Sequence, residues 1–187
     1  MTTTAPRPAS IADLFSLANK TAIVTGGRGG LGLSTTLALA EAGANIISIQ
    51  LPSDPSADSL AIGIRGLNRS FAAYECDIAS SPALRSTFQR TWADGTVPDI
   101  LLNSAGAQRR GRAEELGDEA IDAVLDVDLK ATFAACQEVG KRLSGLGRKG
   151  KIINTAGIIS FTANTDIAPY AASRGGVLQA TKASRNE

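Results

Sequence analysis

The sequence predicts an α/β fold with a doubly wound, mostly parallel sheet, and three observations support this. Short apolar runs alternate with segments of helical periodicity along the chain of 187 residues. The runs are apolar throughout rather than alternating with polar residues, which is typical of strands covered on both faces. A cluster of glycines follows directly on the first run. A length of this order is that of one domain.

Five strands separated by helices are predicted. The strands cover 21–25, 45–50, 71–76, 99–103 and 151–154. The helices cover 31–43, 53–68, a segment that starts at Ser80 or Ser81, 119–146, and a last segment after Pro169. A proline near the start of a helix and a glycine after its end support these bounds, as at Pro82 and Gly43. Residues 1–10 are polar and contain two prolines, so we expect a flexible tail there and a domain at 11–187.

The composition excludes several classes of protein. The 19 Lys and Arg residues nearly balance the 18 Asp and Glu residues, so no basic surplus predicts a nucleic-acid or anionic membrane partner. No apolar run reaches the roughly 18 residues of a membrane-spanning helix. Cys76 and Cys136 form neither a CxxC pair nor a disulfide framework, which favours a reducing compartment and predicts a cytoplasmic protein. The absence of histidine excludes Ser-His-Asp and Cys-His catalysis and histidine-ligated metals, so no metal site is expected.

The glycine cluster lies between the first strand and the first long helix. Thr25 is followed by glycines at 26, 27, 29, 30 and 32, with Arg28 between them. Glycine permits a tight turn and a close approach of the backbone to a diphosphate, and the helix that follows presents unpaired N–H groups. A plain glycine-rich turn is the alternative, but the position directly after the first strand favours a dinucleotide site. The predicted cofactor contacts here are Gly26, Arg28, Gly30, Leu31 and Gly32.

The end of the second strand bears on the choice between NAD and NADP. An acidic residue at this place commonly binds the ribose hydroxyls of NAD. This chain has Gln50, Leu51 and Pro52 instead, and Arg28 in the glycine loop is a candidate to face a 2′-phosphate. Because glutamine also binds hydroxyls, both cofactors stay open, with a slight preference for NADP.

Three motifs resemble the short-chain dehydrogenase/reductase family: Thr-Gly-x-x-x-Gly-x-Gly at 25–32, Asn-Ser-Ala-Gly at 103–106 and Tyr170-x-x-x-Arg174. Within that family, several stretches look most like 2-deoxy-gluconate 3-dehydrogenases and related sugar-acid or polyol dehydrogenases. The resemblance implies strand order 3-2-1-4-5 and a cofactor across the carboxyl ends of the strands. It implies hydride transfer between nicotinamide and a hydroxyl or ketone of a sugar acid, polyol or secondary metabolite. Further cofactor contacts are implied for Asp77, Ile78, Asn103, Ala105 and Gly106.

The resemblance also implies a catalytic set, and this chain departs from it at three positions. Tyr170 matches the tyrosine that exchanges the hydroxyl proton. Arg174 occupies the lysine position and keeps a positive charge on the same helix face. Asp128 occupies the asparagine position, and Gly157 occupies the serine position without a side chain to polarise a carbonyl. The candidate catalytic residues are Tyr170, Arg174 and Asp128, and the first two are also expected to contact the cofactor.

Asp128 is unusual even without the resemblance, because it lies on the apolar side of the long helix, seven residues after Ile121. A carboxylate there should be hydrogen-bonded, partly hydrated or protonated, unless the helix rotates enough to expose it.

Alternatives follow from these departures. The chain is an NAD(P)-dependent oxidoreductase, or it is a catalytically impaired descendant or a fragment that retains dinucleotide binding. Family members continue beyond the tyrosine helix with two more strands and a substrate-covering segment. The resemblance therefore implies a C-terminally short domain with the strand at 151–154 on an exposed edge. It also implies a homo-oligomer through the long helix and the tyrosine helix.

Overall fold

The computed structural model describes residues 10–53 and 57–184. Its centre is a five-stranded parallel sheet in the order β3-β2-β1-β4-β5. The strands are β1 Thr21–Thr25, β2 Asn45–Gln50, β3 Phe71–Glu75, β4 Ile100–Asn103 and β5 Lys151–Asn154. The predicted fold class and strand order are confirmed.

Helices cover both faces of this sheet. They are α1 Ile11–Leu14, α2 Gly30–Glu41, α3 Ala57–Gly66, α4 Ser81–Ala93, α5 Asp118–Leu125, α6 Ala131–Gly145 and α7 Ala168–Ser184. A π-helical turn, Asp126–Lys130, joins α5 to α6, and a short 3-10 turn, Ile158–Ser160, lies between β5 and α7. Within the described residues, no helix combines the length and the apolar character that crossing a bilayer requires.

Several predicted bounds differ from the structure. The helix predicted at 53–68 is shorter at both ends, because Ser53 and Asn68 have φ angles of 55° and 57°, outside helical geometry. The helix predicted at 31–43 begins and ends earlier, and the strands predicted at 71–76 and 99–103 are each one residue shorter. The single helix predicted at 119–146 is two helices joined by the π turn, which the apolar pattern does not show.

At the two ends of the chain, the predictions and the described structure overlap only in part. Helix α1 was not predicted; a capping box between Ser10 and Asp13 holds its single turn. Of the tail predicted at 1–10, only Ser10 lies within the described residues. The last three residues of the helix predicted after Pro169 also lie outside them.

Alternate residues of the central strand face two separate cores. Ala22 and Val24 pack with apolar residues of α2 and α3, while Ile23 packs with those of α4 and α6. All three are fully buried. The outer strand β5 is exposed, as predicted for an edge, with Ile152 at 38% and Ile153 at 43% exposure.

The carboxyl ends of the parallel strands meet at one edge of the sheet. The chain order reverses between β1 and β4, because β2 and β3 extend the sheet on one side and β5 on the other. A crevice at such a switch point is the usual ligand site of doubly wound folds.

Candidate active site and cofactor cleft

A cleft of about 620 Å³ opens at the carboxyl ends of the strands. Its walls come from the glycine loop after β1, the ends of β2 and β3, the segment after β4, and α5 with its π turn. The predicted cofactor residues that line it are Gly26, Arg28, Asp77, Ile78, Ala105 and Gly106. Residues from three different loops therefore line one cleft.

The glycine loop is packed on the segment that follows β4. Gly26 has a φ of 68°, and a Cβ there would overlap the backbone of Ala105. A Cβ at Gly32 would overlap the carbonyl oxygen of Gly26. Glycine is therefore required at both positions for the loop, the start of α2 and the β4 segment to approach one another.

The start of α2 fits the diphosphate of a dinucleotide. Within the described residues, no side chain caps this helix, and its first turn carries no acidic residue. A Cβ at Gly29 or Gly30 would meet open space, and Arg28 lines the cleft beside them. Unpaired N–H groups at a helix N-terminus next to a cation are the donors that a diphosphate needs.

The end of β2 provides the wall that is expected for an adenosine. Ile49, Gln50 and Leu51 line the cleft there. Gln50 is 8% exposed, and its side-chain oxygen accepts a hydrogen bond from Ser48 Oγ at 3.2 Å. Among the described residues that line the cleft, Asp77 is the one with a carboxylate, and it accepts a hydrogen bond from the Ala79 N–H at 3.0 Å.

The cleft also contains residues that are not among the cofactor contacts predicted from the sequence. Arg109 lines it, donates to the Gln108 carbonyl at 3.1 Å and is exposed. The arginines that follow the Asn-Ser-Ala-Gly motif are the pattern that could have identified it. Cys76 also lines the cleft, but burial raises the pKa of its thiol, which disfavours the nucleophilic thiolate.

Other predicted cofactor residues lie beside the cleft rather than on its surface. Leu31 is 75% exposed and begins α2 together with Gly30 and Gly32. Asn103 is 3% exposed, and its Nδ2 donates to Asn154 Oδ1 at 2.8 Å, which links the ends of β4 and β5. Their contacts with a cofactor stay predictions.

Asp128 and Arg174 form an ion pair inside the protein. Asp128 lies in the π turn and is fully buried, which excludes the exposed alternative. Its Oδ1 accepts the Ala107 N–H at 2.6 Å, and its Oδ2 lies 3.1 Å from Arg174 Nη2. Arg174 is 5% exposed, and its Nη1 donates to the Thr155 carbonyl at 2.6 Å. Ser173 Oγ lies 3.4 Å from Asp128 Oδ2 and completes the cluster.

The ion pair lies next to the candidate catalytic tyrosine. The Cζ of Arg174 is 5.0 Å from the centroid of the Tyr170 ring, within cation–π distance. Burial raises the pKa of Asp128, and the Ala107 amide, Arg174 and Ser173 oppose this rise. The structure therefore brings the three candidate catalytic residues together, although none of the three lines the described cleft.

Gly157 has room for a side chain but supplies no hydroxyl. Its φ of −162° is extended, and the nearest described atom to a Cβ there is Ile159 Cγ2 at 3.9 Å. Ser160 Oγ accepts the Gly157 N–H at 3.3 Å and donates to the Arg174 carbonyl at 2.9 Å. The nearby serine hydroxyl is therefore engaged with α7.

Comparisons with known proteins agree with this geometry. Residues 20–187 match the family model of the short chain dehydrogenases. The 2-dehydro-3-deoxy-D-gluconate 5-dehydrogenase of Pseudoalteromonas atlantica is 38% identical over 173 residues, which cover 92% of this chain and 68% of that protein. The D-threitol dehydrogenase of Mycolicibacterium smegmatis is 37% identical over 171 residues, which cover 90% of this chain and 64% of that protein.

A solved structure shows the same fold. The gluconate 5-dehydrogenase of Burkholderia cenocepacia, crystallised with NADP and tartrate, has a TM-score of 0.84 and 33% identity, covering 92% of this chain and 67% of that chain. This chain thus spans about two thirds of the length of these relatives. The expected class, the NAD(P)-dependent oxidoreductases, is confirmed at the level of the family. From its motifs, its sheet order and these matches, the chain belongs to the short-chain dehydrogenase family.

Proposed function

We propose that this chain binds NADP in preference to NAD and transfers hydride between the cofactor and a hydroxyl or ketone of a sugar acid. The cleft carries this proposal. It joins an uncapped helix N-terminus, the cations Arg28 and Arg109, and an apolar wall at Ile49 and Ile78. An anionic ligand with a flat aromatic base suits such a site. The sugar acid is supported by relatives that act on gluconate derivatives, and a polyol is the neighbouring substrate class.

Each candidate catalytic residue has a proposed role. A bound cofactor supplies the hydride donor or acceptor at its nicotinamide ring. Tyr170, which is half-buried at the start of α7, exchanges the proton of the substrate hydroxyl. Arg174 holds a positive charge against the face of the Tyr170 ring, and Asp128 fixes Arg174 there.

A second candidate function is dinucleotide binding with impaired catalysis, and the surroundings of Gly157 favour it. No hydroxyl is available at this position, and Ser160 donates to the Arg174 carbonyl. The charge of Arg174 is already paired with Asp128. Loss of one transition-state hydrogen-bond donor costs about 10²–10³ in rate.

Fluorescence titration of the purified chain with NADPH and NADH tests the binding. Formation of NADPH with 2-dehydro-3-deoxy-gluconate, gluconate or threitol then tests catalysis. We expect saturable binding, tighter for NADPH, and turnover that disappears in Tyr170→Phe. The matched control is Tyr74→Phe, which removes the other tyrosine hydroxyl of the sequence; this hydroxyl donates to Asp94 Oδ2 at 2.5 Å, and neither residue lines the cleft.

The outcomes separate the two candidates. Binding without turnover of all three substrates favours the second candidate over the first. Absence of binding to both nucleotides contradicts both candidates.

A further inference from the structure

The ion pair between Asp128 and Arg174 connects four segments of the chain. The carboxylate lies in the π turn and holds the Ala107 N–H of the segment after β4. The guanidinium comes from α7 and holds the Thr155 carbonyl at the end of β5. A buried ion pair is weak evidence for stability, because desolvation of the two charges offsets their attraction. Its presence here is therefore better explained by what it positions.

The pair contacts the cofactor cleft through Gly106 and Ala107. Both residues line the cleft. The Ala107 N–H donates to Asp128 Oδ1 at 2.6 Å, and Arg174 Nη2 occupies the space that a Cβ at Gly106 would need. Loss of the Asp128 carboxylate therefore releases the Ala107 N–H, and a shift of the Arg174 guanidinium changes the space next to Gly106.

The two charges compensate each other, and a single neutral substitution would leave the other charge buried without a charged partner. Asp128 without Arg174 is an anion with no exposure to solvent, and Arg174 without Asp128 is a cation that is 5% exposed. The guanidinium is held by Nη1 and Nη2, whereas its Nε is buried with no hydrogen-bond partner among the described residues. The position of Arg174 thus depends on Asp128 and on the Thr155 carbonyl.

We propose that Asp128 and Arg174 are positioning residues that act as one charge-compensated unit and set the Gly106–Ala107 segment for the dinucleotide. The effect on the dinucleotide rests on the proposed function. The coupling of the two side chains to Ala107 stands independently of it.

A double-mutant cycle with Asp128→Asn, Arg174→Met and the double variant, which removes both charges, tests this unit. The first readout is the dissociation constant of NADPH, and the second is hydrogen exchange of the Ala107 amide, followed by NMR without nucleotide. Each single variant should raise the dissociation constant at least about tenfold and speed the exchange, since each leaves one buried charge without its counter-charge. The double variant should return both readouts to within about threefold of the parent. Additive losses overturn the proposal.

The control is Glu138→Gln. Glu138 is also a buried carboxylate paired with an arginine, Arg85 at 2.5 Å, but it lies where α6 packs on α4. This variant should leave the NADPH dissociation constant and the Ala107 exchange unchanged. If the parent does not bind NADPH, the proposed function fails, while the Ala107 exchange still decides the coupling. Should Asp128→Asn fail to fold, unchanged Ala107 exchange in Arg174→Met overturns the proposal.

Discussion

The two sides of this site are built in different ways. The proposed adenosine side, made of the glycine loop and the ends of β2 and β3, is formed largely by backbone, and no described side chain caps the start of α2 there. The tyrosine side is made of Asp128, Tyr170 and Arg174. Here the two charged side chains pair with each other, and the guanidinium lies over the tyrosine ring. The first side is marked in the sequence by the glycines of one loop, although that loop packs on the backbone of Ala105. The second depends on contacts between segments that are distant in sequence, so changes there must be compensated by others.

Gly26→Ala should have the largest effect, because it closes the adenosine side. A side chain at a φ of 68° costs about 1–3 kcal/mol in strain, and its Cβ would overlap the backbone of Ala105. We expect loss of saturable NADPH binding and a lower thermal midpoint. The matched control is Gly140→Ala, within α6, where a Cβ meets no described atom within 4 Å. It should stabilise the helix by about 0.5–1 kcal/mol and leave binding unchanged. Parent-like NADPH binding in Gly26→Ala would contradict the assignment.

Arg174→Met should destabilise the tyrosine side in a pH-dependent way. Removing one partner of a buried pair costs about 3–5 kcal/mol, here because the Asp128 carboxylate loses its counter-charge. Burial already raises the pKa of Asp128. A carboxyl with a raised pKa stabilises the fold below its unfolded pKa and loses that contribution as the pH rises through its folded pKa.

The penalty of Arg174→Met should therefore be largest near pH 7 and shrink toward about pH 4, where protonation removes the buried charge. Urea unfolding across this range measures it. Adding Asp128→Asn to Arg174→Met should recover most of the loss at neutral pH. A penalty that is the same at all pH values would show that the charge of Asp128 is not its cause.

Gly157→Ser should raise turnover if the tyrosine side lacks only a hydroxyl. The position has extended backbone and space for a Cβ, so the fold should tolerate the change. The expected gain in turnover number is about 10²-fold or more, the usual value of one oxyanion donor. Gly157→Ala fills the same space without a hydroxyl and serves as the control. Equal rates for the two variants would indicate that the Asp128–Arg174 pair, rather than Gly157, limits catalysis.

Arg28→Ala should have the smallest effect, and it tests the preference for NADP over NAD. Charge pairs at partly exposed sites contribute about 1 kcal/mol or less, so the NADPH dissociation constant should rise by up to about fivefold. The NADH constant should change less, because NADH has no 2′-phosphate. Arg109→Ala is the companion variant in the same cleft, and it should affect both nucleotides alike. An equal effect of Arg28→Ala on both nucleotides would remove the basis for the NADP preference.

The part of the fold that rests on short-range patterns was predictable. The apolar runs gave the five strands, and the glycines at 26 and 32 marked the tight loop before α2, because both depend on residues that are close in sequence. The π turn was not predictable, since its apolar spacing is that of a continuous helix. Nor was the pairing of Asp128 with Arg174, which arises only when α7 packs on the π turn. The expected homo-oligomer and cytoplasmic location stay predictions.

The division between the two sides is tested most directly by comparing NADPH with 2′-phospho-ADP-ribose, which lacks the nicotinamide, by isothermal titration. If the adenosine side supplies the binding and Asp128 retains Arg174, loss of the nicotinamide should raise the dissociation constant by less than about threefold. A rise of more than about thirtyfold would contradict this account, because it would mean that the tyrosine side binds the nicotinamide half strongly.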